Sequence, residues 1–395
     1  MIWGLIFVSF FLLKLKSFYF LNMFFYFDSF TLFIFRIFPL VCFLILKSNF
    51  FFLNFDNYVL NSIYFFTIIS FVNLFFFSNT NFFFLLIIEI CVYLIFFLVL
   101  QLSKDSDKFR SLIFIIIINM LGSAPLMFSL GKFFERFCHY ICFNSYMLFL
   151  VRDLFLFFCW AMMLARKLPI FIIHFWLTKA HVSARGPCSM LLARLILKLG
   201  SFGLFKYYAM FNYIFFKISF IFFSFSLVGI IFFSILIFRF FDIKNFIASS
   251  SILHISIMFP CILAGSSLGT VSIMLIIVRH GLISYFLFYI VTLIYEVSFN
   301  RTSDFNKSFS SISKRLYFYL FIYLFLNLGV PPFISFVTEV YMCSFLLIYR
   351  KISLIGFCLA MLIIIIFTIL IVSKFLFGKK IFFMEKASDM FFFFK

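Results

Sequence analysis

The sequence predicts an all-α fold, a polytopic membrane helix bundle of about 12 transmembrane helices, some of them discontinuous. Three observations predict it. The chain is 66% hydrophobic with a mean hydropathy of +1.23, far above the roughly 45–50% apolar content of soluble domains. Its apolar runs reach the length of about 20 residues that a span needs, and charged or Asn/Ser-rich breaks separate them. Two of the longest runs contain proline at a depth where a helix would have to be interrupted.

Taken in order, spans are expected near 2–20, 29–46, 59–77, 81–100, 110–130, 145–178, 187–209, 213–238, 243–264, 268–295, 316–349 and 352–376. The run at 145–178 carries Lys167 and Pro169, and that at 316–349 carries Pro331 and Pro332 after Asn327. Proline removes a backbone donor and clashes with the preceding turn. Such a break is tolerated at membrane depth where the freed groups find partners or line a cavity, and broken helices of this kind recur at transporter ion sites. The loops are short, and the polar stretch from Asn300 to Arg315 is a loop. One integral membrane domain, 1–395, is therefore expected.

The 32 Lys+Arg against 13 Asp+Glu give a net charge of +19. In a soluble chain this excess would point to nucleic acid. Here the basic residues gather at span ends, which is the positive-inside pattern, and no nucleic-acid partner is expected. Alternate loops hold the richer set, among them Lys104, Lys108, Lys179, Arg185, Arg239, Lys244, Arg301 and Lys374, and should face the negative side with both termini. The 78 phenylalanines lack fixed spacing and accompany abundant Ile, Leu, Asn and Lys. That bias fits an AT-rich genome, an organelle genome being the natural candidate. Cys138, His139 and Cys142 lack the spacing and the fourth ligand of a zinc site. No nucleotide loop, Ser/His/Asp triad, cofactor-binding motif or metal-ligand set is recognisable, and the apolar start shows no signal-peptide cleavage site.

The informative residues are those that remain charged inside spans. Glu89 lies in the middle of FFFLLIIEICVYLIFFLV, Glu339 follows Pro332 by seven residues, and Lys167 and Lys198 lie deep in their runs. A charged side chain at the bilayer centre costs about 3 kcal/mol on insertion scales, so such residues are rare and usually face a bundle interior or a water-filled path. Burial disfavours the charged form and a nearby opposite charge favours it. Acids and bases that can be brought together or separated therefore exchange protons with their surroundings. His174, His181, His254 and His280 are candidate relays, because imidazole titrates near neutrality, and Ser249, Ser250 and Ser251 add a polar stripe beside His254. The bland readings differ by residue. Lys217, near a span end, is expected to snorkel or to pair structurally. Arg36, Arg152, Asp153 and Arg279 are equally well read as structural pairs.

The stretch KLPIFIIHFWLTKAHVSARGPCSMLLARLILK, from Lys167 to Lys198, resembles the antiporter-like membrane-arm subunits of respiratory complex I, and among them the subunit 4 family. Lys167, Pro169, His174, Trp176, Ala180, His181, Ser189, Leu192, Ala193, Lys198, Leu199 and Gly200 fall where that family's pattern has them. Glu89 stands at the family's buried acid. Asp242-Ile-Lys244 with Ser250, Ser251 and His254, then His280-Gly281-Leu282 with Tyr295-Glu296, then Asn327-Leu-Gly-Val-Pro331-Pro332 with Glu339, match three further blocks in order. The resemblance covers about 28–376, the antiporter-like core. Thr178, Ser183, Arg185 and Cys188 depart from the pattern. So does Arg194, a like charge four residues before Lys198, which puts both on one face of an α-helix. It should be neutralised by an acid or a lipid headgroup, or else proton transfer is tuned differently here.

The resemblance implies a modulating ion pair of Lys167 with Glu89, a central proton carrier at Lys198, an outlet carrier at Glu339 and connecting histidines. It implies that this chain binds no cofactor, with NADH, FMN, iron-sulfur clusters and ubiquinone in partner subunits. The implied partners are the other membrane-arm subunits, including the sister antiporter-like subunits, and membrane lipids, in the mitochondrial inner membrane. The family has 14 helices, so one at each end is expected to be lacking. A stand-alone cation/proton antiporter is the alternative, and a degenerate span kept only for assembly is a third reading.

Overall fold

A computed structural model describes residues 58–377 except 79–80, 103–107, 137–153, 169–173, 211, 238, 240–241, 264–266, 299, 305, 308–309, 311–312 and 350. The spans expected at 2–20 and 29–46 lie outside the described residues, as do Arg36, Arg152, Asp153, the Cys138–His139–Cys142 group and the side chain of Lys217.

The described chain is helical, as expected. Its helices are α1 (Tyr58–Phe77), α2 (Asn81–Leu102), α3 (Lys108–Arg136), α4 (Leu154–Lys167), α5 (Phe175–Ser183), α6 (Gly186–Leu191), a π-helical turn (Leu192–Ile196), α7 (Leu197–Met210), α8 (Asn212–Ile237), α9 (Ile243–Leu263), α10 (Ser267–Ser298), α11 (Lys314–Leu328), α12 (Ile334–Tyr349) and α13 (Lys351–Leu376). Among the described residues there is no strand, only an isolated bridge between Asp242 and Thr302. Five of these helical stretches are long and apolar enough to cross a membrane: Phe83–Leu102, Lys108–Ser129, Gly186–Leu204, Val271–Ser298 and Leu354–Leu376. A helix satisfies its own backbone hydrogen bonds, which is what a bilayer demands.

One helix organises the rest. The segment formed by α6, the π turn and α7 is buried at every residue from Pro187 to Leu204. It is walled by α2, α4, α9 and α10. Arg185 enters in extended conformation and Pro187 sits in the first turn, where its missing N–H costs nothing. Phenylalanine fills the wall. Phe75 packs on Phe84 at 4.4 Å between ring centroids and Phe76 on Phe202 at 5.0 Å. Gly203 allows the approach, since a Cβ there would lie 2.8 Å from both Leu164 and Phe84.

The expected interruption at 316–349 resolves into two helices. α11 closes on Gly329 in the left-handed region (φ 76°), with Gly329 N–H donating to Leu326 O at 3.4 Å and Val330 N–H to Phe325 O at 3.5 Å. This is a Schellman closure, which glycine makes without a Cβ penalty. Pro331 and Pro332 then keep the helix from resuming before Ile334. The run at 145–178 likewise holds two helices, α4 and α5. Beyond α10, Ile243 N–H donates to Arg301 O at 3.1 Å, Arg301 Nη1 donates to Val182 O at 2.9 Å, and Lys374 Nζ donates to Asp304 at 2.8 Å. These contacts fasten Arg301 and Asp304 to the ends of α5, α9 and α13.

Candidate functional site

The ionisable side chains inside the bundle gather into two ends and a centre. At the first end Lys167 closes α4 and is buried. Its Nζ donates to Asn119 Oδ1 at 2.5 Å, and Asn119 Nδ2 donates to Glu89 Oε2. Lysine only donates and a carboxylate only accepts, so a primary amide, which does both, fits between them. The Glu89–Lys167 link thus runs through Asn119 of α3 rather than through direct contact. Glu89 Oε1 has no hydrogen-bond partner among the described residues. Arg166, next to Lys167, turns to α3, where Nη1 donates to the carbonyls of Ile118 and Asn119. Gly122 makes room, since a Cβ there would fall on the guanidinium. Gly200 of α7 does the same for Lys167, whose Cβ would lie 2.9 Å from an added one.

At the centre Lys198, 5% exposed, lies 2.6 Å from His280 Nδ1 of α10 and donates to Ala193 O at 3.0 Å. Ala193 is five residues back, within the π turn. Such turns perturb the regular backbone ladder and often sit at functional positions, and here a carbonyl of the turn receives the lysine. Arg194 lies in the same turn and is buried, with its guanidinium over the Tyr285 ring at 4.8 Å. That aromatic face is one of the groups this guanidinium meets. It remains within electrostatic reach of Lys198.

At the other end Glu339 of α12 forms an ion pair with Arg279 of α10, Nη2 to Oε1 at 3.0 Å, with the two side chains 16% and 4% exposed. Arg279 also donates to Asn327 O at 2.7 Å and Thr338 Oγ1 at 2.8 Å. Asn327 Nδ2 reaches Ser250 Oγ of α9 at 3.3 Å.

Of the four candidate histidines, all are buried, but only His280 contacts one of the two lysines. His254 lies against Asn327 and within electrostatic reach of Arg279. His181 stacks on Phe288 at 4.6 Å, and neither of its ring nitrogens has a hydrogen-bond partner among the described residues. It is within electrostatic reach of Lys198 and Lys244. His174 packs edge-on to Phe233 at 4.3 Å and against Phe175 at 4.0 Å. The serines beside His254 turn their hydroxyls back to Phe246, Ile247 and Ala248 of their own helix.

Sequence reasoning missed three members. Asn119 is the polar residue in the apolar run LIFIIIINML, and that isolation was the signal available. Arg166 was overshadowed by its neighbour. Lys244, read as a loop residue, is buried and donates to Ala184 O. Among the described residues no group of His, Cys, Asp and Glu is arranged to hold a metal ion. The arrangement offers a series of acids and bases within the bundle, linked in part by hydrogen bonds.

A family model described as NADH:quinone oxidoreductase/Mrp antiporter, TM matches residues 78–365, a range that holds every residue of this series. The chain belongs to that family. It is similar to NADH-ubiquinone oxidoreductase chain 4 of Aedes aegypti, 28% identical over 248 residues that make up 62% of this chain and 55% of the relative. The chain spans about half the length of the curated relatives it matches. In fold it is similar to a chain of respiratory complex I from Thermus thermophilus (TM-score 0.80, 14% identity, 93% of this chain and 79% of that one). It is also similar to a chain of the Mrp complex from Dietzia sp. DQ12-45-1b (TM-score 0.79, 13% identity, 92% and 69%). The family's fold is therefore that of a membrane helix bundle, and this chain is a membrane protein.

Proposed function

We propose that this chain is a proton-translocating membrane-arm subunit of respiratory complex I in the mitochondrial inner membrane. The observation that carries the reading is the Lys198–His280 contact at 2.6 Å, made by two buried titratable groups, in a bundle that also holds the half-buried carboxylates of Glu89 and Glu339. Either the ammonium donates to Nδ1 or the neutral amine accepts from it, so one proton can be held at either atom. Glu89, Lys167, Lys198 and Glu339 are the proton-carrying groups of this reading, and His174, His181, His254 and His280 the relays. The unpartnered nitrogens of His181 and the free Oε1 of Glu89 are points at which water would complete a path, because buried polar atoms are normally hydrogen-bonded.

In this account the chain binds no cofactor. NADH, FMN, iron-sulfur clusters and ubiquinone belong to partner subunits, and sister antiporter-like subunits and lipids surround a single integral membrane domain, 1–395. The names of the sequence relatives support complex I over a stand-alone cation/proton antiporter, the reading that the Mrp-like fold keeps open. A native gel of solubilised source membranes, stained for NADH dehydrogenase activity and probed by mass spectrometry, decides between them. Co-migration with a very large active band is expected. A small particle without NADH activity, showing sodium-dependent proton exchange, would contradict the proposal.

A further inference from the structure

Arg279 differs from the other cations of the interior in what it spans. Its guanidinium reaches three places in the interrupted helix: the carbonyl of Asn327 in the last turn of α11, Thr338 Oγ1 in the second turn of α12, and the Glu339 carboxylate. The last carbonyls of a helix have no partner within it, so the Asn327 contact satisfies a group that the interruption leaves over. Thr338 is itself aimed by donating to Ser335 O at 2.6 Å. Glu339 also lies against Gly329, where a Cβ would collide with the carboxylate. The carboxylate thus meets a left-handed glycine and Arg279 Nη2. Arg279 is also the residue before His280, which contacts Lys198, so one turn of α10 serves both the centre and this end.

Arginine does not give up its proton in proteins. It cannot be a proton carrier, and it favours the charged form of any carboxylate beside it. We propose that Arg279 is the positioning residue of the Glu339 end, a permanently charged clamp across the helix interruption that Glu339 must leave and rejoin each time it takes up and releases a proton. In the step itself one proton adds to the carboxylate, the ion pair becomes a neutral acid beside a cation, and the same proton leaves to restore the pair. Arg279 is unchanged, and its contacts to Asn327 and Thr338 hold the two half-helices meanwhile. Among the described residues, Glu339 is also within electrostatic reach of Cys343 on its own helix, which in turn faces Cys358 of α13. From α9, His254 faces Arg279.

The inference rests on reading Glu339 as a proton carrier, so its test carries that control. In inner-membrane vesicles holding the assembled enzyme, protons pumped per NADH oxidised are measured against pH for the parent, Arg279→Gln and Glu339→Gln. With the clamp gone the carboxylate holds its proton more firmly. The pumping profile of Arg279→Gln should move to higher pH by about one unit, and Glu339→Gln should not pump. A parental profile for Arg279→Gln, beside a Glu339→Gln variant that has lost pumping, overturns the clamp alone. Normal pumping by Glu339→Gln overturns the reading of Glu339, and the clamp with it. Should Arg279→Gln fail to assemble, Arg279→His is read in its place. Its cation depends on pH, so its profile must change shape near neutrality, and a parental profile overturns the proposal.

Discussion

The two ends of the buried series solve one problem in different ways. At the first, Glu89 and Lys167 share Asn119, so acid and base are linked through a neutral amide. At the second, Glu339 meets Arg279 directly, across an interrupted helix. An amide bridges the two groups without taking a charge itself, which leaves two titratable groups there, each felt by the other. A guanidinium stays charged, so at the second end only the carboxylate can change. The lesson is that a buried acid–base pair is not one device. What stands between the groups, and whether the base can lose its proton, decides what the pair can do.

The sharpest way to break this comparison is to neutralise each acid in turn. Glu89→Gln and Glu339→Gln should each lower NADH-driven pumping by about tenfold or more, yet differ in stability. Glu339→Gln removes the anion paired with buried Arg279, whose contacts to Asn327 O and Thr338 Oγ1 remain, and breaking a buried pair costs up to about 3–5 kcal/mol. Glu89→Gln keeps a hydrogen-bonding partner for Asn119 and should melt closer to the parent. Equal melting temperatures of the two assembled variants would sink the distinction. Next in size is Asn119→Leu, which leaves the carboxylate and the ammonium without their shared partner at about 1–3 kcal/mol. Pumping should drop with NADH oxidation by the partner subunits still detectable; undiminished pumping would make the amide incidental.

The glycines give effects of that size or smaller. Gly329→Ala should cost about 1–2 kcal/mol for the left-handed backbone alone and displace Glu339, whereas Gly200→Ala overpacks Lys167 at about 1–3 kcal/mol. Each should impair pumping through its own end, and thermal melting with pumping assays reads both losses. Smallest is Asp304→Asn, outside the spans. The Lys374 ammonium holds the Asp304 carboxyl below its ordinary value of 3.8. A depressed carboxyl lends stability above that value and loses it as pH falls through the lower folded one. The pair is largely exposed, so the substitution should cost well under about 1 kcal/mol at neutral pH, and nothing in acid below both values.

Much of the fold is legible because the bilayer sets lengths and charges mark the breaks. The expected 81–100, 243–264 and 352–376 meet helices at Asn81–Leu102, Ile243–Leu263 and Lys351–Leu376. The proline pair revealed the interruption between α11 and α12, but that the interruption is stapled by Arg279 depends on α10, about fifty residues earlier in the chain. Glu89, Lys198 and Glu339 stood out because charge in an apolar run is costly. Asn119 did not, since an amide is cheaper to bury and its two partners lie 30 and 48 residues away. Arg194 acts on Lys198 as a like charge, as its place four residues earlier suggests, but what each side chain contacts was not legible. The π turn leads Lys198 to Ala193 O and His280, and Arg194 to the Tyr285 ring.

The most direct test of the account is the proton-to-electron ratio of the assembled enzyme carrying Lys198→Ala. Both ends remain intact in this variant, but the central contact with His280 is gone. The account predicts that the variant assembles and pumps about tenfold fewer protons, or that NADH oxidation stalls because it cannot pump. A variant that oxidises NADH at the parental rate with the parental ratio would show that protons do not pass through Lys198, and would contradict the central claim.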